Sequence, residues 1–402
     1  MKQVRKNIIR CYFDGSIYSI VAMFISGGIL QAFLLENGLN AQRVSVYVSV
    51  IQMVKIAAML LLSPLFEKSK RIIEIYSKAH LLMIPMLLVM IICCYAKGMN
   101  VSVKYAILLG GAVVTSVGLG MISFLSYKLC YLILDMNNYG EVIAVQGIFV
   151  GLSSFLTASL LSKCTGSGDY LRRIGIFLII AVVLVVSNTW IGLGFQDLKL
   201  NVSADPENRR KVNLLKYKSF TSMIVPFSVR GFATGTFDLF TTIGYYLGIV
   251  DAGLSAKMVA VANIAVFVTF FAYRRFARRH KDNELLLVSA FVMLVLMTMS
   301  FVFRNPTVFL AMYFLTYCIR TIFETVSPVA MVPIIEFDIV AQYCAWRGAL
   351  HMAGVTLSGF VTIPLIERFG VVPVMIFNGL LFVLNSVISF SVIRTRSQGG
   401  IG

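Results

Sequence analysis

Four ionisable side chains fall inside long apolar stretches of the sequence: Lys55, Asp238, Arg320 and Glu324. A charge at mid-bilayer costs about 2.5 to 3.5 kcal/mol on insertion scales, so each one is a candidate functional residue. Arg320 and Glu324 are spaced i, i+4 and share a helix face, which predicts an ion pair. That pair either neutralises itself or presents a substrate cation and a titratable carboxylate. Lys55 has no acid nearby in sequence, so its partner comes from another helix, with Asp238 and Glu324 as the structural choices, or from a ligand. Asp238, with Glu324, is the proton-coupling candidate, because a low-dielectric cavity disfavours the charged form of a carboxylate. Asp14 and Arg230 lie nearer the ends of their stretches at similar places in each half of the chain, as an inner gate would require. Tyr245 and Tyr317 join Lys55 and Arg320 as substrate-binding candidates. Tyr246 and Trp346 could also stack on a solute, although aromatic residues near membrane interfaces are commonly anchors. His351 reads as a polar residue at a helix entrance.

These residues need a bilayer-spanning scaffold, and the composition supplies one. The 402 residues are 58% hydrophobic and only 13% charged, against roughly 25% charged in soluble proteins, and the mean hydropathy is +0.86. Twelve apolar runs of spanning length are expected, at about 13–35, 44–66, 79–95, 105–127, 142–161, 174–195, 227–250, 258–273, 285–303, 308–328, 348–366 and 371–393. The basic N-terminal hexapeptide leads directly into the first, which reads as a retained helix rather than a signal peptide. The net charge of +17 lies in short clusters between these runs, as cytoplasmic loops of a membrane protein carry it, and this argues against nucleic-acid binding. Both termini are expected on the cytoplasmic side of the cell membrane. Seven cysteines are scattered with no metal-ligand spacing, so neither a metal nor a cofactor is expected. No phosphate-binding glycine loop and no nucleophile triad appears, and an enzyme is not expected.

The runs fall into two sets of six. Gly38 Leu39 Asn40 Ala41 Gln42 Arg43 Val44 is echoed by Gly253 Leu254 Ser255 Ala256 Lys257 Met258 Val259. Ile133 Leu134 Asp135 leads to Gln146 Gly147 much as Ile334 Ile335 Glu336 leads to Arg347 Gly348. The longest polar segment, 196–218, holds Arg209, Arg210, Lys211, Lys216 and Lys218 and separates a bundle at 1–195 from a second at 219–402. Since six is even, the two bundles enter from the same side and form parallel repeats.

Between the second and third runs stands Ser63 Pro64 Leu65 Phe66 Glu67 Lys68 Ser69 Lys70 Arg71. This resembles the Gly-x-x-x-Asp-Arg-x-Gly-Arg-Arg signature of the major facilitator superfamily, with Glu67 for the acid, Lys68 and Arg71 for two of the bases, and both glycines replaced. The likeness, which extends over essentially the whole chain, implies an all-α polytopic membrane protein with twelve transmembrane helices in two parallel six-helix repeats. It further implies that Glu67, Lys68 and Arg71 act in gating, with Glu67 near the start of the eleventh helix at about Gly348. It also implies that the charges above sit on cavity-lining helices, while the third, sixth, ninth and twelfth support from outside. The fifth helix carries Gly147 and Gly151 as a small-residue packing pair but lacks the proline of drug antiporters. Lys55 stands where sodium-coupled glycoside carriers of the family have acids.

The function expected is secondary active transport of a small anionic or zwitterionic solute by alternating access. It is expected to be coupled to protons, with the lipid bilayer as surroundings and a monomer as the working unit. The alternatives are efflux of amphiphilic, drug-like compounds and, from another class, a non-transporting sensor or lipid-handling protein on the same scaffold.

Overall fold

The structure, a computed structural model, describes residues 2–39, 41–67, 69–96, 98–135, 139–165, 170–198, 218–250, 252–276, 282–303, 305–331 and 340–399. Most of the basic linker, together with Lys68, lies outside them. All regular structure among the described residues is helical: α1 Lys2–Ile25, α2 Gly27–Glu36, α3 Ala41–Glu67, α4 Ile72–Ala79, a 3-10 turn His80–Met83, α5 Ile84–Tyr95, α6 Val101–Ile133, α7 Tyr139–Thr165 and α8 Tyr170–Leu193. The second half continues with α9 Lys218–Asp238, α10 Phe240–Tyr246, α11 Ala252–Phe276, α12 Asp282–Val302, α13 Pro306–Met331, α14 Val340–Phe369 and α15 Val371–Gly399. Nine stretches among the described residues are long and apolar enough to cross a membrane, and Lys257–Tyr273 and Leu287–Val302 are shorter apolar helices. An apolar helix satisfies its own backbone hydrogen bonds, which is why hydrocarbon selects this structure.

The apolar interior falls into two clusters. One is drawn from residues between Cys11 and Phe195 with Tyr343, Cys344 and Ala345, the other from residues between Ala233 and Phe382. Within the first half α1 packs on α7 and α8, α3 on α6, and α5 on α8. Within the second half α9 packs on α14 and α15, α11 on α13, and α12 on α15. Two long seams join the halves, α7 against α11 and α3 against α14. Small residues set the approach at these crossings: Gly151 lies against the backbone of Phe267, and Gly231 and Gly354 bring α9 and α14 together at the backbones of His351 and Ser228. With lipid outside, close van der Waals packing of this kind holds helices together.

Two helices break after comparable lengths, 24 residues in α1 and 21 in α9. Ser26 is extended (φ −149°, ψ 164°) between α1 and α2, followed by Gly27 at φ 72°. In the second half Leu239 interrupts α9 and α10. Each broken pair then ends alike: Leu39 N–H donates to the Leu34 carbonyl around Gly38 (φ 89°), and Ile249 N–H donates to the Gly244 carbonyl around Gly248 (φ 68°). This is the six-to-one cap that a left-handed glycine permits. The sequence echo aligned Gly38 with Gly253, but Gly253 lies within α11 and the matching cap is made by Gly248.

Candidate functional site

A cavity of about 560 Å³ lies between the halves. Its wall is built by α1, α3, α4, α6 and α7 on one side and by α9, α13 and α14 on the other, and it carries Asp14, Lys55, Arg230, Asp238, Arg320, Glu324, Arg347 and His351. A second chamber of about 340 Å³ extends from it past the α1–α2 break, lined by Ser26, Gln31, Ser49, Thr356, Tyr313 and Tyr317 among others. Tyr18, Gln52, Lys55, Asp238, Arg320 and Val355 line both chambers, so they form the waist between them.

At the waist Arg320 is a hub. Its Nη1 donates to Asp238 Oδ1 at 2.6 Å and its Nε to Glu324 Oε1 at 3.0 Å, so one guanidinium holds two carboxylates. The expected i, i+4 pair forms, and Asp238 joins it from α9, at the residue before the helix break. The ring of Phe237 lies 4.8 Å and that of Tyr317 5.5 Å from the guanidinium carbon, a cation–π contact on each. Arg320 is thereby fixed on several sides. The Asp238 side chain is 45% accessible, and it lines both chambers.

Lys55 is different. It lines both chambers from α3 and makes no ion pair or hydrogen bond among the described residues. Arg230 is buried, stacks over Phe323 at 5.0 Å, and leaves its Nε without a hydrogen bond; its electrostatic neighbours include Glu324 and Arg347. Arg347, on α14, lies over Tyr127 at 5.9 Å. Asp14 does not pair with Arg230 in this arrangement. It accepts a hydrogen bond from Tyr76 Oη at 2.7 Å, and His80 Nε2 lies 3.9 Å from its other oxygen.

Of the remaining candidates, Tyr317 lines the second chamber and His351 the first. Tyr246 and Trp346 are exposed and line neither chamber. Arg71 is exposed in the turn before α4, its N–H bonded to Ser69 Oγ at 3.2 Å. Lys68 and the side chains of Glu67 and Tyr245 lie outside what is described. The helix that carries Gly348 already runs from Val340, so Gly348 is an interior residue that meets Met59 of α3 rather than a helix start. His80, Tyr76, Gln52, Tyr18 and Asn188 were missed by sequence reasoning. His80 sits on the third run, which the resemblance had assigned to outer support, yet its side chain is 1% exposed and faces a cavity residue.

The E. coli fucose:proton symporter FucP superposes with a TM-score of 0.63 over 98% of this chain and 98% of its own, at 14% identity. A D-xylose-proton symporter superposes with a TM-score of 0.73 over 96% and 97% of the two chains, at 10% identity. The chain has the major facilitator fold. No family model and no curated protein matches it by sequence, so what the major facilitator likeness carries is the architecture. Both of these solved structures are symporters, not enzymes.

Proposed function

We propose that this chain is a secondary active carrier of a small anionic or zwitterionic solute, working by alternating access and coupled to protons. It acts as a monomer in the cell membrane with both termini inside. The fold supports this reading, since the solved structures it resembles are proton symporters. Counting α1 with α2, α4 with α5, and α9 with α10 as single interrupted passes gives twelve passes in two sets of six. The mirrored packing of α1 on α7 with α9 on α14, and of α5 on α8 with α12 on α15, supports two repeats. Interrupted helices beside a central site are a recurrent feature of secondary transporters.

The observation that carries the solute class is Lys55. Its ammonium shares a cavity with three carboxylates, but Arg320 holds two of them and Asp14 is bonded to Tyr76. A ligand carboxylate or phosphate would supply the missing counter-charge to Lys55, with Arg230 as a second cation on the opposite half. Asp14, Asp238 and Glu324 are the groups available to carry a coupling proton. A neutral sugar, the solute in both neighbours' names, is the competing reading, favoured by Gln52 Oε1 and Thr356 Oγ1, which line the second chamber without hydrogen-bond partners.

The test is a thermal-stability screen of purified protein against small organic anions, neutral sugars and lipophilic cations, followed by counterflow in liposomes. Binding to the folded state raises apparent stability with occupancy. Stabilisation by an anion that is lost in Lys55→Ala supports the proposal. Stabilisation by sugars or lipophilic cations, unchanged in Lys55→Ala, removes the anion class. Binding without counterflow rejects the carrier in favour of a sensor.

A further inference from the structure

Behind the cavity wall, where α1, α4 and the following 3-10 turn meet α8, lies a buried acid–imidazole pair that the anion site does not use. Asp14 is 4% and His80 1% exposed, and Asp14 Oδ1 and His80 Nε2 face each other at 3.9 Å with neither making a hydrogen bond. The ring's other nitrogen, Nδ1, is 3.1 Å from the Tyr76 carbonyl oxygen. A carbonyl only accepts, so Nδ1 carries the hydrogen and the neutral ring presents a bare lone pair at Nε2. Ionised Asp14 presents another. Two acceptors thus point at one another in a buried site, and one added proton would satisfy both.

The surroundings offer no other source for it. His80 is the basic group within 4 Å of Asp14 among the described residues. The titratable groups facing the pair are Tyr18 and Cys11 of α1, Tyr76 of α4 and Cys130 of α6, joined across a third cavity of about 280 Å³ that Asp14 also lines by Tyr127 of α6, Tyr139 of α7 and Glu324 of α13. From α7 comes the neutral Gln146 and from α8 the neutral Asn188. The tyrosines are placed by packing: Tyr76 donates to Asp14 Oδ2, and Tyr18 and Tyr76 set their rings edge-on to the imidazole at 6.0 and 5.0 Å. Asp14 and Tyr76 line the central cavity, giving the proton a route to its water. His80 opens the 3-10 turn that interrupts α4 and α5, a local departure of the kind found at hinges.

Asp238 and Glu324, in contrast, are already satisfied by Arg320. We propose that Asp14 and His80 bind one exchangeable proton between them, and that this pair is where the carrier proposed above takes up its coupling proton. The proton forms an O–H or N–H bond on one partner and a hydrogen bond to the other. It enters from cavity water and leaves to it, with no other bond made or broken.

The pair's titration is read on the full chain in nanodiscs without solute, by NMR of labelled Asp carboxyl and His imidazole carbons. Only three histidines are present, so His280→Gln and His351→Gln assign His80 by elimination. A shared proton makes Asp14 and His80 titrate at common midpoints, and Asp14→Asn moves the His80 midpoint by about one pH unit or more. Separate midpoints in the wild type, which needs no variant to fold, overturn the proposal. Its role in coupling is read by spin labels at the exposed positions Leu65 on α3 and Trp346 on α14. Their distance distribution should change between about pH 5 and pH 8 and lose that change in Asp14→Asn and in His80→Gln. A change that persists in both variants, or is absent from wild type, overturns the coupling role. Failure of counterflow would reject the carrier and leave the titration result standing.

Discussion

Arg320 shows how a single side chain organises the waist. Removing it takes from Asp238 and Glu324 the guanidinium they share and leaves Arg230 as a cation near Glu324 alone, and an uncompensated charge of the kind left at Asp238 is costly. Arg320→Ala is expected to lower stability by about 1 to 3 kcal/mol, a discount from a fully buried pair because cavity water reaches Asp238. Arg320→Lys should recover only part, since an ammonium lacks the fork that serves two acids and the planar face that stacks on Phe237 and Tyr317. Thermal unfolding of both variants checks this, and equal stability of Lys and Ala at the position would refute the fork argument. The charged residues were legible in sequence because hydrocarbon makes a buried charge conspicuous. Lys55, Asp238, Arg320 and Glu324 all reached the cavity wall for that reason. His80 and Asn188 were not legible: imidazole and amide are mild interruptions of an apolar run, and their meaning comes from Asp14 on another helix.

At the scale of helices, the glycines divide into those that turn the chain and those that let helices touch. Gly147 and Gly151 were readable as a packing pair, and the structure sets them against Phe270 and Phe267 of α11. Gly231 and Gly235 have the same spacing on α9 and went unread, although both lie against α14, at His351 and at Val355 and Ser358. A Cβ on Gly354 would meet the Ser228 carbonyl and the Phe232 amide, backbone that cannot step aside. Gly354→Val should therefore cost about 1 to 3 kcal/mol by overpacking, whereas Gly98→Val, in open space, should leave the melting temperature nearly unchanged. Helix ends were harder to read than helix existence. The third span begins at Ile72 and includes Glu74 and Lys78, bonded to each other at 2.6 Å on an exposed face, so the sequence started that helix late, at Ala79. Charged turns at a membrane surface look like loops until their i, i+4 pairing is known.

At the scale of the whole molecule, the bundles proposed above meet along α7–α11 and α3–α14. If these bundles rock, fixing one seam must stop the cycle. Met59 of α3 and Gly348 of α14 touch, so Met59→Cys with Gly348→Cys, joined by a short thiol-specific cross-linker, is expected to abolish counterflow, and reduction of a cleavable linker to restore it. Full activity of the cross-linked protein would mean that this end does not open. The pairing of helices across the halves was not legible in the sequence, since contacts between residues so far apart leave no trace in a single chain.

The surplus of positive charge on the cavity wall has an electrical consequence. Four cations, Lys55, Arg230, Arg320 and Arg347, face three carboxylates, Asp14, Asp238 and Glu324, so with neutral histidines the empty site carries one net charge. Moving one charge through a membrane potential involves about 2.3 kcal/mol per 100 mV. The voltage across the bilayer would then pull on the empty protein directly, setting where it waits between turnovers, and a monovalent anion arriving with its coupling proton would leave that pull unchanged. A site holding the anion without its proton would be neutral and its movement indifferent to voltage, a difference that pre-steady-state currents on a supported membrane can record.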